Sequence, residues 1–484
     1  MTEFLDRLLI GGAWVPAADG ATFGVTNPAT GDTLVKIADA GYTDMQRAVD
    51  AAAEAQGAWG SATALERSVV IRRAAEVMRD DLDHLARVMT LEQGKPLDQS
   101  RGEFEYGIAF LDWFAEEGRR VYGMTIPSTS RDKRIQVLKR PIGVSAAITP
   151  WNFPALQILR KLGAALAAGC AMVVKPSELT PLSALEVGRC FMEAGLPEGV
   201  LSVVPGFDPV PLTAALMADR RVRALSFTGS TEVGKLLMRG AADTMKRISL
   251  ELGGHAPLIV FEDADLDHAL DQTIASKMRN MGQTCVSANR IYVQDSVLEA
   301  FTSKLVDRLA TMKVGDGLEA DVTVGPLVED AALDKVERHV ADALSKGATL
   351  LLGGERARVG TAGAGTFYAP TVLTGADESM LVAKEETFGP VAAVFSFATE
   401  DEVLQRANDT DFGLAAYFFT RDVNRMVRFT EGLEYGTVGV NDAMISAVQA
   451  PFGGVKESGI GREGGPLGVD EYLDVRYVSL GGLG

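Results

Sequence analysis

Short apolar runs of strand length alternate with longer helical stretches along most of this chain, and that alternation limits its fold more than any other feature. Residues 143–149, 171–174, 201–204 and 224–227 read as strands. Between the first three lie an Ala-rich helical segment at 156–168 and a helix that Thr180 caps, Pro181 opens and Gly195 closes. Such repetition predicts an α/β protein with a parallel, doubly wound sheet. A second α/β block follows from residue 256 to about 450, with strands at 257–261, 290–293 and 391–397 and helices such as 298–312. Upstream, 44–121 reads as helical, with Asp44 as an N-cap and apolar residues at helical spacing through 64–89. The segments 135–138 and 472–480 are strand-like. A length of 484 residues exceeds one ordinary core, so two or three domains are expected, packed tightly around a cleft, without repeats or flexible linkers.

Charge and cysteine usage narrow the function. A net charge of -18 makes the chain a poor general binder of nucleic acid or anionic membrane. Its three cysteines, Cys170, Cys190 and Cys285, are too sparse for a disulfide framework and fit a reducing cytoplasm. None lies in a CxxC pair or near a histidine at ligand spacing, so no metal site is expected. Residues 1–10 lack the apolar run of a signal peptide, and the apolar stretch 143–159 is broken by Pro150, Asn152 and Pro154, too short to span a bilayer.

Several short motifs carry chemistry. GSTEVG at 229–234 follows an apolar strand and opens a helix, whose free N–H groups suit a phosphate, although a ligand-free turn reads about as well. It is not GxGxxG, so the standard Rossmann phosphate grip is not implied. KPSE at 175–178 ends a strand, where Lys175 and Glu178 can meet ribose hydroxyls; taken alone, a solvated loop is the more common reading. Cys285 sits among glycine and small polar residues in NMGQTCVS, which suggests an accessible thiol needing little activation. Cys170 and Cys190, among apolar neighbours, read as inert. Glu251 in LELGGH is a carboxylate in apolar surroundings, able to act as a general base with a raised pKa. Asn152 in PWNFP can donate to an oxyanion or simply form the turn.

Taken together these blocks resemble the aldehyde dehydrogenase family. PWNFP at 150–154, KPSE at 175–178, FTGST at 227–231, LELGG at 250–254, GQTC at 282–285, ETFGP at 386–390 and PFGG at 451–454 occur in the family's order, and the likeness runs from about residue 10 to 478. The resemblance implies an aldehyde dehydrogenase-like α/β fold: two doubly wound parallel-sheet domains plus a small β oligomerisation element. It places the NAD-binding domain at 1–121 and 141–253, the catalytic domain at 254–452 and the oligomerisation element at 122–140 and 467–484. It implies that Cys285 attacks the aldehyde, that the Asn152 amide and the Cys285 N–H hold the oxyanion, and that Glu251 activates the water that hydrolyses the thioester. Trp151, Lys175, Ser177, Glu178, Gly229, Ser230, Gly234, Leu252, Glu386 and Phe388 would contact the cofactor, NAD with NADP possible. A homodimer or homotetramer is implied.

The subgroup resembled is the succinate-semialdehyde dehydrogenases, in which positions matching Arg160, Arg279 and Ser446 hold the substrate carboxylate; a guanidinium grips a carboxylate in a bidentate fork. Glutarate semialdehyde, 2-oxoglutarate semialdehyde and a broad aldehyde range are the rival substrates. A catalytically idle relative is disfavoured by the intact Cys285, Glu251 and Asn152, and an acyl-transferring enzyme by the nicotinamide-binding set. Some members carry a second cysteine two residues after the nucleophile; here that position is Ser287, so no such redox switch is expected.

Overall fold

A computed structural model describes residues 4–359 and 365–483. The outermost residues of the first and last expected segments, 1–3 and 484, lie outside the described residues. The four strands expected in the first block, Val144–Ile148, Met172–Lys175, Leu201–Val203 and Val222–Thr228, join Arg247–Glu251 in one parallel array. Antiparallel edges complete this eight-stranded sheet: Leu8–Ile10 and Ala13–Val15 on one side, Gly459–Ile460 on the other. Strand Val144–Ile148 is buried throughout, because helices cover both faces of the sheet.

A seven-stranded sheet follows, in the order Thr349–Leu352, Thr371–Thr374, Val391–Phe397, Ala288–Gln294, Ala256–Val260, Ala415–Phe419 and Thr437–Val440. Only Thr349–Leu352 is antiparallel to its neighbour. The third sheet joins Met124–Ile126, Arg134–Pro141 and Leu473–Leu480, the last two paired over eight residues. Its apolar residues Met124, Leu138, Val475 and Tyr477 are exposed.

Three local expectations change. Helix Tyr42–Ser61 starts from Gly41, and Asp44 lies one turn in, its carboxylate accepting from Gly41 N at 3.1 Å. Thr180 precedes helix Pro181–Glu193 but its side chain does not cap it. The buried Glu92 carboxylate does so from another helix, accepting from Leu182 N at 2.7 Å and Ser183 N at 2.8 Å. Residues 453–466, which the expected domains leave unassigned, return to the first sheet: Gly459 pairs with Glu251.

Helix Pro154–Ala168 is buried along its entire length, its three polar side chains Gln157, Arg160 and Lys161 included. Pro154 opens it and Gly169, at φ 93°, closes it in the left-handed conformation that glycine adopts freely. This helix and the C-terminal ends of the parallel strands fix the position of the site.

Candidate active site

Four strand ends of the first sheet deliver the motifs to one crevice. Ile148 leads into Pro150–Asn152, Lys175 ends its strand, Thr228 leads into Gly229–Ser230, and Glu251 is the last residue of its strand. Cys285 faces them from the loop that precedes strand Ala288–Gln294 of the second sheet. A cleft of about 310 Å³ between the two is lined by Trp151, Asn152, Gly229, Ser230, Leu252, Cys285, Glu386 and Phe388, all expected at the site, and also by Thr228, Glu329, Lys335 and Thr387.

The cysteine loop is held in an unusual backbone. Asn280, Met281 and Gly282 have φ of 50°, 55° and 74° in succession. Two non-glycine residues in the left-handed region store roughly 1–3 kcal/mol each, a strain that surrounding contacts must offset. Those contacts are present: Asn280 N donates to Gln99 Oε1 at 2.8 Å, and Gln283 Oε1 accepts from Val328 N at 3.0 Å. Gly254 must lack a side chain, because a Cβ there would collide with the Cys285 carbonyl.

Cys285 lines the cleft, as an accessible thiol should, but it is not primed for reaction as the sequence suggests. Cys285 is half-buried, and burial, reinforced by Glu386 and Glu251, pushes its pKa up to about 12 despite Arg160 and Arg279. The resting group is therefore a neutral thiol that must give up a proton on demand. Cys170 and Cys190 are fully buried and raised to about 11 and about 12, burial being the first cause, in keeping with an inert role.

Glu251 is buried, and neither carboxyl oxygen has a hydrogen-bond partner among the described residues. Burial first, and then the neighbouring Glu463 carboxylate, raise its pKa well above the usual range. Burial alone would raise Glu463 as well, but Arg160 and Lys161 hold it below its ordinary value. Lys161 Nζ forms an ion pair with Glu463 and donates to Thr228 Oγ1 at 2.7 Å. Lys161 and Glu463 thus stand behind the candidate base, and reading the sequence passed over both. Lys161, beside Arg160 in a mostly apolar helix, was the available signal; Glu463, among glycines near the C-terminus, gave none.

Glu386 Oε1 accepts from Gly254 N at 3.0 Å, and burial lifts its pKa to about 7. The Trp151 and Phe388 rings meet edge to face at 5.4 Å, with Phe388 itself at φ 56°. Lys175, Ser177 and Glu178 do not line this cleft; Lys175 Nζ lies 3.0 Å from Glu178 Oε2. Ser177 Oγ accepts from Leu179 N at 3.2 Å, an internal turn contact. Ser230 caps helix Thr231–Ala241 and is exposed at its N-terminus. Gly234 does not line the cleft: it lets that helix approach the strand, since a Cβ would strike the Leu252 side chain. These residues fit a dinucleotide: aromatic walls, a helix N-terminus and a space beside Gly253 where a Cβ would meet Glu386 Oε2 at 3.2 Å.

A second cavity, of about 330 Å³, contains Arg279, Ser446, Tyr106, Phe153, Leu156 and Lys95 among its walls. The two arginines differ there. Arg160 is buried and paired, with Nε 2.5 Å from Glu463 Oε2, Nη2 donating to Gln157 Oε1 at 3.0 Å and the guanidinium 4.6 Å from the Phe452 ring centre. Arg279 has no carboxylate within ion-pair distance among the described residues, its Nε is buried without a hydrogen-bond partner, and it lies 5.5 Å from the Phe153 ring centre. Elsewhere, Asp81, His84 and Glu186 come together, but Arg189 already spans the two acids, with Nε 2.6 Å from Glu186.

The aldehyde dehydrogenase family model matches residues 14–478, and the chain belongs to that family. It is an NAD(P)-dependent aldehyde dehydrogenase. It is 53% identical to a 3-sulfolactaldehyde dehydrogenase of Pseudomonas putida, over 99% of this chain and 97% of that one. It is 51% identical to an NADP-dependent succinate-semialdehyde dehydrogenase of Escherichia coli, over 99% and 98%. The crystal structure of succinate-semialdehyde dehydrogenase from Burkholderia pseudomallei superposes with a TM-score of 0.97 at 51% identity, covering 99% and 98% of the two chains. Among the described residues no helix is long and apolar enough to cross a membrane.

Proposed function

We infer that this enzyme oxidises a short aldehyde carrying an anionic group at its far end, succinate semialdehyde first, to the corresponding acid. The observation that carries this is Arg279, a partly buried cation that has no acidic partner among the described residues, in a cavity it shares with Ser446 and Tyr106. A cation so placed is stabilised by an anion brought to it. Cys285 attacks the aldehyde carbon, the Asn152 Nδ2 and the Cys285 N–H stabilise the oxyanion, and Glu251 takes the proton of the water that cleaves the thioester. Trp151, Ser230, Glu386 and Phe388 would hold the nicotinamide cofactor, which would supply the hydride acceptor. A substrate sulfonate is the second reading, favoured by the Pseudomonas putida relative, because one guanidinium and two hydroxyls suit either anion.

The test compares kcat/KM for succinate semialdehyde, glutarate semialdehyde, 3-sulfolactaldehyde and butanal. A charged hydrogen bond contributes roughly 1.5–3 kcal/mol, so Arg279→Ala should lower efficiency with the anionic substrate about tenfold to a hundredfold and with butanal much less. Arg160→Ala should instead impair both alike, since it leaves Glu463 one cation short beside Glu251. A parent enzyme indifferent to the anionic group would remove the reading.

NAD is expected to exceed NADP in efficiency by about tenfold or more, because a 2′-phosphate would meet Glu178. Glu329 adds a second carboxylate close enough for Glu178 to raise its pKa, after burial. Steady-state kinetics with both cofactors check this; equal efficiencies would remove Glu178 from the role. Self-association as a homodimer or homotetramer is assigned to the three-stranded sheet, on the strength of its exposed Met124, Leu138, Val475 and Tyr477.

A further inference from the structure

The turn that carries Asn152 is gripped from behind by a buried ion pair. Lys95 and Glu103 are both almost fully buried and form that pair with each other. Lys95 Nζ also donates to the Asn152 carbonyl at 2.8 Å, and lies 4.3 Å from the centre of the Phe153 ring. Glu103 Oε1 accepts from Ala155 N at 3.0 Å and Leu156 N at 3.1 Å, in the first turn of helix Pro154–Ala168. The pair therefore holds the chain on both sides of Phe153 and Pro154. Asn280 Nδ2, from the cysteine loop, donates to the same Asn152 carbonyl at 2.8 Å. Gln93 Nε2, two residues before Lys95, donates to Asn280 Oδ1 at 3.0 Å. One short segment thus ties the Asn152 turn to the loop of Cys285.

A buried ammonium is costly to desolvate, and an apolar side chain of similar volume would often serve stability as well or better. What an apolar side chain cannot do is hold a carbonyl and a carboxylate at once. The oxyanion donor must be set within a fraction of an ångström, and an error of about 1 Å costs roughly a hundredfold.

We propose that Lys95 is a positioning residue for oxyanion stabilisation: through the Asn152 carbonyl and Glu103 it holds the Asn152 amide, whose Nδ2 donates to the Gln283 carbonyl at 3.1 Å, in the cleft that Cys285 also lines. This rests on the role assigned to Asn152 above. Lys95 does not hold the substrate anion, although it borders that cavity, because its donors are directed to Glu103 and Asn152 and its flank to Phe153.

The test is a double-mutant cycle of Lys95→Met and Asn152→Ala, assayed with succinate semialdehyde and butanal, with NAD affinity and Tm measured on every variant. Lys95→Met should lower kcat on the order of tenfold or more with both aldehydes, leaving KM and NAD affinity near parental values. In the Asn152→Ala background the same substitution should cost less than about twofold, because the group it positions is gone. An equal loss in both backgrounds, a loss confined to the anionic aldehyde, or no loss would overturn the proposal. Should Lys95→Met fail to fold with Glu103 left unpaired, Lys95→Met with Glu103→Gln removes both charges while the glutamine oxygen can still accept from the helix end, and the cycle is read on that pair. Full activity of Asn152→Ala by itself would instead remove the oxyanion role from Asn152, and the proposal with it.

Discussion

Cys285→Ala abolishes aldehyde oxidation, by at least about ten-thousandfold in kcat, while NAD binds as before. No other thiol can substitute, since Cys170 and Cys190 are buried within the apolar core. Steady-state assays with a fluorescence titration of NAD check both halves, and turnover within tenfold of the parent would take Cys285 out of the reaction. The raised thiol pKa adds a pH signature. At pH 7 a group with a pKa of about 12 is ionised to only roughly one part in 10⁵, so alkylation by iodoacetamide should be slow and rise about tenfold per pH unit. A rate independent of pH across neutrality would contradict that environment.

Glu251→Gln slows steady turnover on the order of a hundredfold to a thousandfold, the usual contribution of a general base. One equivalent of NADH per active site still forms rapidly, because the water is needed only after hydride has left. Rapid-quench kinetics and intact mass should show the acyl group on Cys285; an undiminished steady rate would assign the water to another base. The parent should also depend on pH in a fixed direction. Burial and Glu463 favour the protonated Glu251 carboxyl, and only the carboxylate can take a proton, so deacylation rises as pH rises through its elevated pKa. In Glu251→Gln that rise should disappear.

The α/β class and most strands were legible because strand runs buried on both faces are continuously apolar. Met172–Lys175 and Val391–Phe397 needed no knowledge of their neighbours. The motif residues of the cleft were legible for a related reason: each sits at a strand end or a glycine-rich turn, where local sequence fixes local geometry. The caps were less so. Thr180 looked sufficient, yet Glu92 serves that helix from ninety positions away. No local rule separates a threonine that caps from one whose place a distant carboxylate has taken.

The site divides in the same way. Sequence alone determined which groups can react: a cysteine, a carboxylate in apolar surroundings, an amide in a turn and arginines able to hold an anion. Tertiary structure decided their state. It half-buried the Cys285 thiol, placed Glu463 beside Glu251, tied Arg160 to Glu463 and left Arg279 without an acid among the described residues. A side chain's chemical type is written at its own position. Its charge state and its freedom to bind are set by dielectric and by neighbours within a few ångströms, which here come from segments up to about three hundred residues away, as Glu463 is from Lys161.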